Sequence, residues 1–286
     1  MNTAEVRHDP PRPARVGGLQ LCFDAFGEPE HPPMLLIMGL GFQLVHWPEG
    51  FCRLLAADGF RVVRFDNRDA GRSTHLPGCR YTLEDMAEDA VGLLDALAVG
   101  SAHVVGASLG GMVAQTMAIR HPDRVRSLAS LMSTTGRRGA GRTSVRVFRY
   151  LLARRPRTAE EAGERRVRVF ATIGSTGFRQ DLDELRRVSA LAFQRDPDAR
   201  EGSRRQLRAV RAAGDRTAAL RSLSVPTVVI HGTDDRMCHP SGGRATAAAI
   251  PGAQLELVPG LGHDLPPGAW PRLAGAIVAN ARRAEG

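Results

Sequence analysis

The chain has 286 residues, 43% of them hydrophobic and 24% charged, which excludes a disordered chain and allows one large domain with a sizeable core. The formal net charge is +9, and every basic residue is Arg, a bias that resembles codon usage more than selection for a nucleic-acid surface. Residues 137–221 hold 22 Arg against 10 acids, whereas the remainder holds 17 Arg and 20 acids.

In chain order, Gly18 to Ala25 reads as a strand, and the apolar run Met34 to Met38 as a strand buried on both faces. Trp47 to Asp58 reads as a helix ended by Gly59, followed by the strand Arg61 to Phe65. Thr82-Leu83-Glu84-Asp85 fits a capping box with Asp in place of Glu, and Met86, Ala90, Leu93, Leu94 and Leu97 continue at helical spacing. His103 to Ala107 is the next strand, Leu109 to Arg120 a helix and Val125 to Met132 a strand.

The alternation then stops. Residues 137 to about 220 are helical in pattern with acids interspersed among the Arg, as on a solvated face, with steering of anionic substrates and a partner or membrane surface as the alternatives. Alternation resumes at Thr227 to Ile230, continues at Gln254 to Val258 and ends in a helix from about Trp270 to Arg282. This predicts an α/β core, residues 1–136 and 221–286, interrupted after its sixth strand by a helical cap over 137–220. An insertion after a strand's carboxyl end sits over the ligand crevice of an open sheet.

The chemistry concentrates at Gly106-Ala107-Ser108-Leu109-Gly110-Gly111, a G-x-S-x-G between a strand and a helix. Small residues on either side let strand and helix approach, so the serine oxygen projects from a sharp turn. Serine needs a base. His263, in Pro259-Gly260-Leu261-Gly262-His263-Asp264 directly after the last strand, is placed to supply it. The acid orienting that imidazole is expected in His231-Gly232-Thr233-Asp234-Asp235. Asp235, further into the loop, is favoured, with Asp234 as runner-up. His231, His239 and His263 lack an HExxH-type spacing, so no metal and no cofactor is expected.

Two backbone N–H groups should bind the oxyanion. One belongs to Leu109, which follows the nucleophile; the other lies in Met38-Gly39-Leu40-Gly41, where Leu40 is favoured and Gly39 supplies the turn. Met38, Gly39, Phe42 and Trp47 are the candidate substrate wall, with a place in the core as the equal alternative for Met38, Leu40, Phe42 and Trp47. In Asp66-Asn67-Arg68-Asp69, Arg68 is expected to pair with Asp66 and tie the loop down.

The four cysteines form no CxxC and read as free thiols in a reducing compartment. The stretch up to Val16 has no apolar h-region and no apolar run is long enough to span a bilayer. A cytoplasmic monomer or homodimer acting on a small molecule, without a nucleic-acid or membrane partner, is the expectation.

With these residues in place the chain resembles the α/β-hydrolase superfamily over nearly its whole length. Met38-Gly39-Leu40-Gly41, Trp47-Pro48, Phe65-Asp66-Asn67-Arg68-Asp69 through Gly71 to Ser73-Thr74, His103-Val104-Val105-Gly106 and Pro226-Thr227 are similar to the aclacinomycin methylesterase branch. That branch removes a methyl ester from an anthracycline polyketide. The resemblance implies Ser108, Asp235 and His263 as a triad, with backbone donors at Leu40 and Leu109. It implies a carboxylic ester hydrolase working through an acyl-enzyme on Ser108. The Arg-rich insert departs most from the pattern, so the substrate stays open. A lactonase, C–C hydrolase, thioesterase or perhydrolase would share the triad, and a non-hydrolytic cyclase or ligand binder would share the pocket.

Overall fold

The alternating apolar runs of the two outer segments become the strands of one sheet in the computed structural model, which describes residues 6–145, 147 and 156–285. Among the described residues these are β1 (His8–Val16), β2 (Leu19–Phe26), β3 (Pro33–Ile37), β4 (Arg61–Phe65), β5 (Ala102–Ala107), β6 (Val125–Leu131), β7 (Thr227–Gly232) and β8 (Gln254–Val258). Their spatial order is β1-β2-β4-β3-β5-β6-β7-β8. The β1–β2 and β2–β4 pairs are antiparallel, and every pair from β4 to β8 is parallel.

The period of two along β3 decides how the core divides. Leu35 and Ile37 face α2 (Leu83–Ala96) and α3 (Leu109–Arg120), while Met34 and Leu36 face α1 (Glu49–Ala57) and a C-terminal helix, Trp270–Arg282. All six residues of β5 are buried, as a central parallel strand covered on both faces requires. The capping box forms as the spacing predicts: Thr82 Oγ1 accepts from the Asp85 amide at 3.2 Å, and Asp85 accepts from the Thr82 amide at 2.8 Å.

Two elements lie outside the sequence reading. β1 carries Pro10, Pro11 and Pro13, which remove ladder donors, and it is tolerated because it is an edge strand with a register shift between Asp9 and Arg12. The helix Ser241–Ala249 is built from Gly, Ala, Ser, Thr and one Arg, so it shows no large apolar stripe. The helix expected from Trp47 begins at Glu49, after a 3₁₀ turn over Leu44–His46 and the N-cap Pro48.

Between β6 and β7 the described elements are helices: α4 (Ala159–Ile173), α5 (Leu182–Arg195), α6 (Ala199–Ala212) and the short α7 (Thr217–Leu220). In chain order the last two helices are then α8 (Ser241–Ala249) and α9 (Trp270–Arg282). Thr158 and Asp181 cap α4 and α5 by accepting from the amides of Glu161 and Glu184.

These helices are fastened to the loops that follow β3 and β4. Arg195 on α5 pairs with Asp66, which is fully buried, and Arg205 on α6 grips Asp69 through two hydrogen bonds of 2.8 and 2.6 Å. Gln206 accepts from the Gly41 amide at 2.8 Å, and Gln43 donates to the Ala192 carbonyl at 2.8 Å. The Arg68–Asp66 pair expected from the sequence is therefore corrected. Arg68 reaches Asp89 on α2 at 2.6 and 2.8 Å, and Asp66 is partnered by Arg195 and by the amides of Leu44 and Arg72. Sequence proximity misled because adjacent side chains of a loop diverge. No helix among the described residues is long and apolar enough to cross a membrane.

Candidate active site

Ser108 stands between the end of β5 and the first residue of α3, with φ 56° and ψ −117°. A non-glycine residue held there costs on the order of 1–3 kcal/mol. The surrounding glycines explain how the turn is made. A Cβ on Gly106 would lie 2.2 Å from the Gly110 carbonyl oxygen, and one on Gly110 would lie 1.9 Å from the carbonyl oxygen of Ile37. Strand, helix and the neighbouring β3 meet closer than any side chain permits. Ser133 donates to the Ser108 carbonyl at 2.7 Å, which fastens the bend from β6.

The loop after β8 returns His263 over the sheet. Gly260 takes φ 72°, and the backbone of Gly262 passes so close to Gly174 that a Cβ would meet it at 2.3 Å. The ring is then placed between two partners. Nε2 lies 3.0 Å from Ser108 Oγ, and Nδ1 lies 2.7 Å from Asp235 Oδ2. With Nδ1 protonated and donating to the carboxylate, Nε2 is the acceptor that faces the serine hydroxyl.

Asp235 is buried. Burial alone would raise its pKa, but the His263 charge and hydrogen bonds from His231 and His263 outweigh it, and the carboxyl sits at about 2. Its second oxygen accepts from the amides of Met237 at 2.9 Å and Cys238 at 2.8 Å. His231, 3.4 Å from the carboxylate and 2.7 Å from the Cys238 carbonyl, braces the same turn. Asp234, the runner-up, points elsewhere: Thr233 and Thr176 donate to it. The His239 ring contacts Ser241, and among the described residues no three His, Cys, Asp or Glu are grouped to hold a metal.

Gly39 lies against the nucleophile, where an added Cβ would be 3.2 Å from that of Ser108. Leu40 follows Gly39 in the same loop, and Leu109, next after the serine, opens α3. The Phe42 amide donates to the Gly39 carbonyl at 3.1 Å, and Asn67 donates to the Met38 carbonyl at 3.0 Å; both shape this loop.

A cavity of about 360 Å³ opens onto Ser108 and His263, with Met38, Gly39 and Phe42 in its wall. Trp47 is not in that wall, which corrects the sequence expectation. Its side chain is fully buried and stacks near Phe51, with ring centroids 6.1 Å apart; its neighbour Pro48 reaches the cavity instead. The helices between β6 and β7 supply lining residues that sequence reasoning missed, among them Arg166, Phe170 and Leu185, and α9 supplies Trp270. Nothing in the sequence separates Arg166 from the other arginines around it. Asp264 also lines the cavity and accepts from Ser175 and Gln180 of the α4–α5 connection; burial raises its pKa.

The chain is similar to known proteins over nearly its whole length. A family model described as alpha/beta hydrolase fold matches residues 32–266. Rhodomycin D methylesterase DauP of Streptomyces sp. (strain C5) is 32% identical over 92% of this chain and 95% of its own. Rhodomycin D methylesterase DnrP of Streptomyces peucetius is 30% identical over the same shares. Among solved structures, the enol-lactonase from Burkholderia xenovorans LB400 superposes with a TM-score of 0.73 at 26% identity, covering 96% of this chain and 99% of that one.

Proposed function

The chain belongs to the α/β-hydrolase family, and from that premise we propose that it is a serine hydrolase of carboxylic esters, with a methyl ester of a polyketide-type metabolite as its substrate class. Ser108 attacks the acyl carbon while His263 Nε2 takes the hydroxyl proton. Asp235 holds the imidazole and balances its charge. The Leu40 and Leu109 amides receive the developing oxyanion. His263 returns the proton to the leaving alcohol, and water then releases the acid from the acyl-enzyme. The helices of 137–220 act as a cap that completes the pocket, with the core in 1–136 and 221–286.

The observation that carries this reading is the continuous relay from Ser108 Oγ to His263 at 3.0 Å and on to Asp235 at 2.7 Å, open to the cavity. The two methylesterase relatives support the ester and its small alcohol. A fluorophosphonate probe tests the nucleophile: an adduct on Ser108, absent from Ser108→Ala, is the expected result, and an unlabelled folded protein would favour a binder or cyclase. Turnover on a panel of methyl esters, aryl esters, lactones and thioesters tests the bond, with methyl esters expected to lead.

A further inference from the structure

Of the two arginines in the cavity wall, Arg187 pairs with Glu184, and Arg166 on α4 has no carboxylate partner among the described residues. The acids of the same wall are engaged elsewhere. Glu184 pairs with Arg187 at 2.6 Å, Asp181 caps α5 through the Glu184 amide, and Glu49 lies 3.8 Å from Arg64. Asp264 is held by Ser175 and Gln180. Arg166 instead stacks on aromatic rings, 4.2 Å from the Phe42 centroid and 5.5 Å from that of Phe170. Its hydrogen-bond partner is the ring of His46, with Nη2 and Nε2 3.3 Å apart.

That partner is a neutral acceptor. Burial, then the charge of Arg166, hold the His46 pKa well below its ordinary value. Burial, then the neighbouring Arg165, also lower the pKa of Arg166 itself. Burial and Arg165 therefore oppose this cation, and the faces of two rings are what flank it. A guanidinium flanked by ring faces in a cavity wall, with a neutral imidazole as its hydrogen-bond partner and no carboxylate, is a receptor for an oxyanion. Phe42, on which it lies, is the residue that packs beside Gly39, itself against Ser108, so the guanidinium stands one aromatic ring away from the reacting serine.

We propose that Arg166 is a specificity-determining residue that binds an anionic oxygen of the substrate, a carboxylate or an ionised phenol carried on the same body as the ester. This rests on the cavity being the ester site of the preceding section. The enzyme would then select acidic aromatic esters over neutral ones of the same shape, with Phe42 and Phe170 flanking the aromatic body.

Binding measured by calorimetry, without turnover, keeps this separable from the hydrolase reading. One pair of probes is 2-naphthoate and 2-naphthamide; the other is 4-nitro-1-naphtholate and its methyl ether. The wild-type protein is expected to prefer the anion in at least one pair by roughly 10- to 100-fold, the range of a charge-assisted hydrogen bond, and the pair that responds names the source of the oxygen. Arg166→Gln should bring anion and neutral probe to within a few-fold of each other. Equal binding in the wild type, or an anion preference that survives in folded Arg166→Gln, overturns the proposal. If that variant does not fold, a crystal structure of the wild type with the preferred anion decides, since an anion seated away from the guanidinium overturns it equally. Fluorophosphonate labelling of wild-type Ser108, run in parallel, reports on the hydrolase reading alone.

Discussion

The amide of His263 donates to the carbonyl of Ile173 at 2.7 Å, so the backbone that carries the proposed base is hydrogen-bonded to the last residue of α4. The Gly262 amide adds a bond to Ser175 Oγ at 2.9 Å. The helices between β6 and β7 thus hold the histidine loop as well as roofing the cavity. From the other side they hold the loop that carries Gly39 and Leu40, where Gln206 accepts from the Gly41 amide and the Ala192 carbonyl accepts from Gln43. Disturbing the seat of these helices should therefore disturb two arms of the site together.

Ser108→Gly should be inactive yet more stable than the parent. Removing the nucleophile of such a relay lowers kcat by about 10⁴-fold or more, while glycine relieves the φ of 56° at that position. A gain of about 1 kcal/mol would raise Tm by roughly 2–4 °C for a domain of this size. Thermal unfolding beside an ester assay checks both halves; a lower Tm would show that the bend holds no strain.

Asp235→Asn should keep the shape and lose about 10⁴-fold in kcat, because an amide no longer fixes the Nδ1–H tautomer of His263. The same change should flatten acid unfolding. The folded pKa of Asp235, about 2, lies below the unfolded value near 3.9. Its contribution, on the order of 2 kcal/mol, is present above pH 4 and lost as pH falls from about 4 to about 2. Denaturant titrations at pH 6 and pH 3 should show a steeper loss for wild type than for the variant.

Gly110→Ala should cost about 3 kcal/mol or more, since its Cβ would land 1.9 Å from the backbone oxygen of Ile37. Gly100→Ala, where nothing lies within 4 Å of the new methyl group, should change stability by less than about 0.5 kcal/mol. Paired urea melts compare the two, and equal stabilities would remove the close-approach account of the elbow.

Arg195→Met should destabilise by about 3–5 kcal/mol, because it strands the fully buried Asp66 carboxylate without a counter-charge. Adding Asp66→Asn to that variant should restore part of the loss, as the uncharged amide needs no counter-charge. A double variant that is less stable by the full sum would show the two residues to be uncoupled.

Much of this protein was legible before any coordinates. The parallel core was visible because strands buried on both faces are written as unbroken apolar runs, such as Met34 to Ile37. Gly106 to Gly110 announced a sharp turn because no other residue fits where two backbones nearly touch. β1 was missed because its prolines argue against a strand, and only its place at the sheet edge makes them harmless. Trp47 was misplaced because an aromatic residue beside a glycine loop looks the same in sequence whether it faces a cavity or the core.

The sequence by itself determined the local chemistry: a serine in a bend, a histidine after the last strand, and an acid after the one before. Those are short-range properties of turns and residue types. The sequence already favoured Asp235 over Asp234, but the tertiary structure alone decided which arginine closes on Asp66 and which arginine is left facing the cavity without an acid. Such choices depend on which distant segments the packing brings within hydrogen-bond reach, and a guanidinium reads identically at every one of its positions along the chain until its neighbours in space are known.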